Sequence, residues 1–456
     1  MPNNIDTFED SDTPSLRDIR DVEVPQEKLE KRASIEPKDT FGDEEHAEVK
    51  YKVLSWWQCG FLMIAESVSI GILSLPAVVA AIGLVPAIII IAFLGLLATY
   101  TGYIIGQFRW RYPHVHNLAD AGEVIAGKFG REVLGGGQLL LIIFVMASHL
   151  LTFMVAMNTI TDHGTCTIVF GVVGLVISLV AGLPRTLKHV STMSVVCFIS
   201  VFSAVMIAMI AVGVQHPGSK LEAVVKTDVY HAFLAICNIV FSFSGHVAFF
   251  AFIAELKDPK DYPKSLVLLQ GTDTSLYLVT AIVIYCYAGQ DVTSPALGSA
   301  GPVVAKVAYG IALPTIIIGG VVNGHVAAKY VFVRLFRNTD RMHRRDWRTF
   351  SSWAGILAMV WIIAWIIAEA IPVFNDLLSL VASLFASWST YGINSVFWLF
   401  MNKGRYTSSI QKMFLTVINL LIIGIAGCIC GLGLYVSGKS LHDNPSSASF
   451  SCANNA

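Results

Sequence analysis

Residues 66–76 read ESVSIGILSLP, and they place an acid, three serines, a glycine and a proline inside a long apolar run. Glycine and proline weaken a helix interior, and serine side chains compete for backbone hydrogen bonds. A second stretch of this kind, FSFSGH at residues 241–246, lies inside another apolar run. The two stretches predict two helices that are each interrupted within a hydrophobic segment.

The composition around these stretches is that of a membrane protein. Of the 456 residues, 55% are hydrophobic and 14% are charged, whereas soluble domains carry about 25% charged residues. A membrane helix needs about 20 mostly apolar residues. We predict an all-α polytopic membrane protein with eleven transmembrane helices, at residues 53–81, 83–108, 133–160, 165–183, 190–214, 229–256, 264–288, 301–336, 350–371, 375–401 and 411–436.

Basic residues predict which side of the membrane each loop faces, because cytoplasmic loops are enriched in Lys and Arg. With a cytosolic N-terminus, 18 Lys and Arg residues fall in cytoplasmic loops, and three fall outside: Lys220, Lys226 and Lys439. Residues 1–52 hold 15 acidic and 8 basic residues, so a disordered cytosolic tail is predicted there. Residues 437–456 are predicted to form a non-cytosolic polar tail without recognisable chemistry.

The interrupted helices are the first and the sixth predicted spans, which run in opposite directions. This spacing is expected of a five-plus-five inverted repeat, with repeat one at 53–214, repeat two at 229–401 and an extra helix at 411–436. Unwound backbone at membrane depth is tolerated where it lines a cavity or is buried in protein. The free N–H groups of a half-helix suit a carboxylate, and opposing carbonyls suit an ammonium group. The expected guest is therefore a zwitterion such as an amino acid.

Polar side chains inside the predicted spans mark further candidate positions, because charged groups at membrane depth are costly and are usually functional. Glu66 lies near the middle of span one, where it is either a proton carrier or a cap for backbone donors at the break. Lys329 lies nearer the interface, where its side chain could extend toward the headgroups. The remaining candidates have packing roles as their alternative, namely His149, Thr152, Asn323 and His325.

Several classes of function are excluded by what the sequence lacks. There is no Walker motif GxxxxGK[ST], so the chain is not predicted to drive transport with ATP. No Ser/His/Asp set and no metal-ligand spacing can be recognised, so neither an enzyme, a metal site nor a nucleic-acid partner is predicted. The eight cysteines lie mostly in apolar runs and are interpreted as small packing residues rather than as a disulfide framework.

The chain resembles the amino acid/auxin permease family, and most closely its fungal neutral amino acid permeases of the methyltryptophan-resistance type. The resemblance covers roughly residues 50–436 and rests on SIGILSLP (69–76), GLPRTLKHVS (182–191), FSFSGHVAFFAFIAELKDPKDYPKSL (241–266) and AEAIPVFNDLL (368–378). It implies a fold like that of the sodium/leucine symporters, secondary active uptake of amino acids and, usually, co-transport of protons.

The resemblance also implies where the substrate binds. The unwound parts of spans one and six would hold the backbone of the amino acid, and spans three and eight would supply side-chain walls. Many family members carry glycine where this chain has Ser69, which leaves the backbone of the first break less free here. The implied substrate-binding residues are Ser67, Val68, Ser69, Ile70, Gly71, Ile72, Leu73, Phe241, Ser242, Phe243, Ser244, Gly245, His149, Thr152 and Asn323.

The coupling ion is predicted from span eight. Sodium symporters of this fold commonly place hydroxyl ligands there, and oxygen ligands suit a hard cation, but residues 316–336 contain neither Ser nor Thr. A proton is therefore favoured over sodium, with Glu66, His325 and Lys329 as the proton-coupling residues and no other cofactor. The prediction is a plasma-membrane symporter whose residues 1–52 serve trafficking or ubiquitin-ligase contacts. A sodium-coupled carrier, a vacuolar transporter and a non-transporting amino acid sensor are the alternatives.

Overall fold

The computed structural model describes residues 51–185, 187–215, 221–336, 339, 346–443 and 449–455, without the side chains of Ser69 and residues 187–190. Of the predicted cytosolic tail, Tyr51 and Lys52 fall within this set, and residues 1–50 lie outside the described residues. The predicted tail therefore stays a prediction.

The described chain is built from helices, as expected of apolar runs that must satisfy their backbone polar groups internally. The α-helices are α1 (Trp56–Gly71), α2 (Leu75–Ile82), α3 (Leu84–Arg111), α4 (Leu118–Thr161), α5 (Thr167–Ala181), α6 (Leu187–Gln215), α7 (Val229–Ser242), α8 (His246–Ala254), α9 (Tyr262–Ala288), α10 (Pro302–Phe336), α11 (Trp347–Ala370), α12 (Phe374–Val381), α13 (Ile393–Met401) and α14 (Ile410–Asp443).

Eight helical stretches of the described residues are long and apolar enough to cross a membrane: α3, α4, α6, α7 with α8, α9, α10, α11 and α14. The other three predicted spans correspond to the interrupted pair α1 and α2, to the shorter α5, and to α12 and α13. The last two are joined through a π-helical segment, Ala382–Gly392. The chain is thus an all-α polytopic membrane protein, as predicted, and the count of eleven spans stays a prediction.

The first interruption lies between α1 and α2, at residues 72–74. The prediction placed it at residues 67–73, but residues 67–71 continue the helix. The physical reason is Pro76, whose ring clashes with the carbonyl four residues earlier, at Ile72, and which has no N–H to donate. Beyond Gly71 the backbone makes shorter-range bonds, such as Ser74 N–H to the Gly71 carbonyl at 3.2 Å. The break therefore begins where the proline forbids the helix to continue.

The second interruption lies at residues 243–245, between α7 and α8. It falls within the predicted stretch 241–246. The Ser244 N–H donates to the carbonyl of Phe241 at 3.0 Å, which closes a tight turn at the end of α7. α8 begins at His246, whose Nε2 lies 2.8 Å from the carbonyl of Ala98 on α3. The half-helices α7 and α8 are thus joined by a short turn, and the first residue of α8 contacts α3.

The C-terminal segment corrects the prediction for two of the cysteines. Cys452 forms a disulfide with Cys166, at the start of α5, so these two cysteines are paired rather than packed singly. The Thr167 hydroxyl donates to the carbonyl of Ala453 at 2.7 Å, and the Asn158 amide donates to Asn455 Oδ1 at 2.8 Å. The last residues therefore bind the ends of α4 and α5. The paired cysteines are 286 residues apart, and no local pattern connects them.

Candidate functional site

The two helix breaks lie in direct contact with each other. The Ser242 hydroxyl, at the end of α7, donates to the carbonyl of Gly71 at 3.0 Å, and the Ser74 hydroxyl donates to the same oxygen at 2.9 Å. A methyl group at Gly71 would lie 2.7 Å from Ser242 Cα. Only glycine permits this close approach of the two backbones, because any side chain would push the breaks apart.

Helix α9 joins the two breaks from the side. The Tyr277 hydroxyl donates to the carbonyl of Ser242 at 2.7 Å and lies 3.3 Å from the carbonyl of Ser67. The Ser67 hydroxyl donates to Asp273 Oδ2 at 2.9 Å. The Phe243 ring packs edge-on against Tyr277, with the centroids 5.2 Å apart. One face of α9 thus holds the ends of α1 and α7 together through polar contacts.

Glu66 lies at this junction with its carboxyl group buried. The residue is 6% exposed, and Oε2 has no hydrogen-bond partner among the described residues. Oε2 packs against the backbone of Gly245 so closely that a methyl group there would overlap with it. A carboxyl group of α1 therefore lies against the second break, and one of its oxygens has no hydrogen-bond partner among the described residues.

The backbone groups predicted as substrate ligands are engaged by the protein in this conformation. The Gly71 carbonyl accepts from Ser74 and Ser242, and the Leu73 carbonyl accepts from the N–H of Ala296 at 2.8 Å. A substrate that binds these carbonyls must replace protein donors. Of the other predicted residues of the two breaks, Ser67 is half-buried and the rest for which burial is described are buried, namely Val68, Ile70, Ile72, Phe241, Ser242, Phe243, Ser244 and Gly245; the side chain of Ser69 is outside the described set.

The polar residues predicted on spans three and eight make local or structural contacts. The His149 ring nitrogen Nδ1 donates to the carbonyl of Ile316 at 2.8 Å, which joins α4 to α10. The Thr152 hydroxyl and the Asn323 amide each donate to a carbonyl one turn earlier on their own helix, at 2.7 Å and 3.1 Å. Asn323 Oδ1 is buried without a partner in the described part of the chain.

The two predicted proton-coupling residues of α10 have different neighbours from Glu66. His325 packs edge-on against Trp353 of α11, with the ring centroids 5.1 Å apart. Lys329 is 3% exposed and forms an ion pair with Glu255, at the end of α8, so it is buried and does not extend toward the headgroups. Its ammonium also lies 4.3 Å from the centre of the Tyr51 ring.

Three residues of these contacts were missed by the sequence reasoning: Asp273, Tyr277 and Glu255. Asp273 is fully buried in α9, and a carboxyl group inside an apolar span is itself a signal of function. That signal was available in the sequence. Tyr277 offers no comparable signal, because buried tyrosines are common at helix contacts.

A cavity of about 680 Å³ opens at the end of the bundle where the C-terminal segment lies. Its walls come from the ends of α4 and α10, the loop before α10, and Asn454 and Asn455 of the C-terminal segment. Asp162 and Lys306, which form an ion pair, lie on its rim. The cavity has a mixed polar and apolar lining that the C-terminal segment helps to shape.

Two interrupted helices that meet inside a bundle of apolar spans are typical of membrane transporters with discontinuous helices. Sequence comparison identifies its family. Residues 52–437 match the family described as "Transmembrane amino acid transporter protein", and the chain belongs to that family. The chain is accordingly a membrane transporter rather than an enzyme, as predicted.

Curated relatives carry names of the same kind. The "N amino acid transport system protein" of Neurospora crassa is 36% identical over 420 residues, which cover 90% of this chain and 89% of the relative. A "Transmembrane transporter" of Gibberella moniliformis is 30% identical, with coverage of 86% and 83%. The "Amino acid transporter AVT1H" of Arabidopsis thaliana is 25% identical, with coverage of 83% and 88%.

Solved structures show the fold. A structure of MhsT in complex with L-phenylalanine aligns with a TM-score of 0.58 at 12% identity, covering 85% of this chain and 100% of that chain. A Na⁺-coupled sialic acid symporter aligns with a TM-score of 0.53 at 12% identity, covering 83% and 90%. These likenesses confirm the predicted fold class, with its discontinuous first and sixth helices.

Proposed function

We propose that the protein is a proton-coupled symporter of neutral amino acids, aliphatic and aromatic, that works by alternating access. One observation carries the proposal: the buried carboxyl group of Glu66, which reaches from α1 to the second break and has an unpaired oxygen among the described residues. A carboxyl group in this position can take up a proton while the breaks are open to one side and release it to the other.

The breaks themselves support an amino acid as the substrate. Half-helix ends offer N–H groups to a carboxylate and carbonyls to an ammonium group, and the names of the curated relatives agree with this class. The buried side chains around the junction are mostly apolar, including Val68, Ile70 and Phe241. This lining suits an uncharged side chain, and competition by a basic amino acid against an aliphatic and an aromatic one would test the preference.

Proton coupling is favoured over sodium coupling by the inner half of α10. Residues 316–336 offer no hydroxyl group, and oxygen ligands suit a hard cation. Lys329 already pairs with Glu255 there. Sodium coupling is the second candidate, because the solved relative that carries sialic acid is Na⁺-coupled.

We place the N-terminus in the cytosol and the C-terminal segment on the other side of the plasma membrane. The distribution of basic residues supports this orientation, and the Cys166–Cys452 disulfide agrees, since disulfides persist in oxidising compartments. A vacuolar location is the alternative. Trafficking or ubiquitin-ligase contacts through residues 1–52 belong to the same proposal.

The experiment is to compare accumulation and counterflow in Glu66→Gln. Glutamine keeps the size of the side chain but cannot exchange a proton, so the variant should lose concentrative uptake and retain exchange of labelled for unlabelled substrate. Both activities would be measured in reconstituted vesicles with a labelled neutral amino acid.

Glu369→Gln is the matched control, because Glu369 is an acid of similar burial, 2% exposed, that binds Trp365 on α11 away from the breaks. It should accumulate substrate like the wild type. Concentrative uptake by Glu66→Gln at the wild-type level would contradict the role of Glu66.

A further inference from the structure

A second carboxyl group, that of Asp273, lies at the same junction. Asp273 Oδ2 accepts from the Ser67 hydroxyl, one residue after Glu66, while Oδ1 is buried and has no hydrogen-bond partner in the described ranges. The residue has no exposed surface. Each of the two acids thus keeps one buried oxygen available at the contact between α1, α7 and α9.

The two carboxyl groups lie at one contact. Glu66 precedes Ser67, whose hydroxyl donates to Asp273 Oδ2, and the hydroxyl of Tyr277, one turn further along α9, lies 3.3 Å from the carbonyl of Ser67. Two ionised carboxylates buried near one another repel, and each loses its hydration. The arrangement is therefore stable only when a cation or a proton neutralises part of the charge.

We propose that Asp273 is a second coupling residue, and that Glu66 and Asp273 together form a two-carboxyl site that holds the transported proton. This inference rests on the proposed proton coupling and adds a residue to it. One carboxyl group carries the proton and the other stays ionised, so the pair can pass the proton between the first break and α9. The Ser67 hydroxyl keeps Asp273 oriented toward the junction.

The same contacts couple the proton to the movement of the helices. The Ser67 hydroxyl that binds Asp273 also lies 3.4 Å from the carbonyl of Ser242, at the end of α7. When α1 and α7 separate to admit a substrate between their backbones, Ser67 leaves the carbonyl of Ser242, and its hydroxyl keeps Asp273 as its acceptor. The surroundings of the Asp273 carboxyl group then change with the conformation, and so does its affinity for the proton.

The test uses purified full-length protein in liposomes that contain a pH-sensitive dye. Substrate-driven proton influx and counterflow would be measured for the wild type, Asp273→Asn and Thr280→Val. Asparagine can still accept from Ser67 but cannot exchange a proton. Thr280 is the control, because its hydroxyl is buried on the same helix, 1% exposed, and has no partner within the described chain.

We expect Asp273→Asn to lose proton influx and accumulation while it retains counterflow, and Thr280→Val to behave like the wild type. Asp273→Glu should restore part of the proton influx, which a residue with only a structural role would not do. Wild-type influx in Asp273→Asn would overturn the inference and leave the proposed function intact. Absence of proton influx in the wild type itself would overturn both, and it would be seen before any variant is compared.

Discussion

Gly245, in the second break, is the residue whose backbone lies against the carboxyl group of Glu66. A methyl group there would overlap with Glu66 Oε2, and Phe249 lies 3.4 Å from the same point on the other side. The side chain of Glu66 cannot stay in place beside a larger residue, because it is buried and has little room to move. The absence of a side chain at position 245 is thus a condition for the buried acid.

We predict that Gly245→Ala lowers transport strongly while the protein is still made, since the displaced carboxyl group no longer contacts the second break. The measurement is initial uptake normalised to the amount of protein in the membrane. Gly271→Ala on α9 is the control, because a methyl group at Gly271 has nothing within 4 Å. Equal uptake by Gly245→Ala and Gly271→Ala would show that the Glu66–Gly245 contact is not needed.

At this scale the sequence singled out Glu66, Gly71 and Ser242, which the structure brings close together, and their roles stay predictions. It missed Asp273, although an acid in an apolar span carries the same signal as Glu66. The predicted site was built from the two stretches that break helices, and α9 contains no such stretch. The contacts of His149 and His325 were not predictable, because helical spacing gives the depth of a residue but not the helix that it faces.

At the scale of elements, the end of α8 is joined to α10 and to the segment before α1. Glu255 forms a buried ion pair with Lys329, and its carbonyl accepts from the N–H of Leu54 at 3.0 Å. The Lys257 N–H donates to the carbonyl of Leu54 at 2.9 Å. The end of α8, α10 and the segment before α1 are therefore linked around one ion pair.

Removing one member of a buried ion pair leaves the other charge uncompensated, at a cost of about 3–5 kcal/mol. We predict that Lys329→Met and Glu255→Gln each lower the temperature of unfolding in detergent, and that the double variant recovers most of the loss. Lys264→Met, which breaks an exposed pair with Asp261, should change it little. Additive losses in the double variant would show that the two side chains do not depend on each other.

The helix breaks could be predicted from the sequence, but the residue at which the first break begins could not. Glycine, serine and proline in an apolar run predicted both breaks and the helices that contain them. The first break begins several residues later than the serines at 67 and 69 predict, because both lie within α1. Inside a membrane bundle a helical serine finds a partner on a neighbouring helix, as Ser67 does with Asp273.

At the scale of the whole molecule, the all-helical membrane fold and the family followed from composition and from a few motifs. The C-terminal segment did not, because its partners on α4 and α5 lie almost 300 residues earlier in the chain, and its own sequence is short and polar. Contacts of this kind depend on where the bundle brings distant ends together. For the same reason, the cavity that the segment lines could not be predicted from the sequence.

The central claim is that proton influx drives the uptake of neutral amino acids by this protein. The most direct measurement is accumulation of a labelled neutral amino acid in vesicles with an inward proton gradient and choline in place of sodium. We expect accumulation above equilibrium that a protonophore abolishes. Uptake that fails without sodium, and that an inward sodium gradient restores without proton influx, would contradict it.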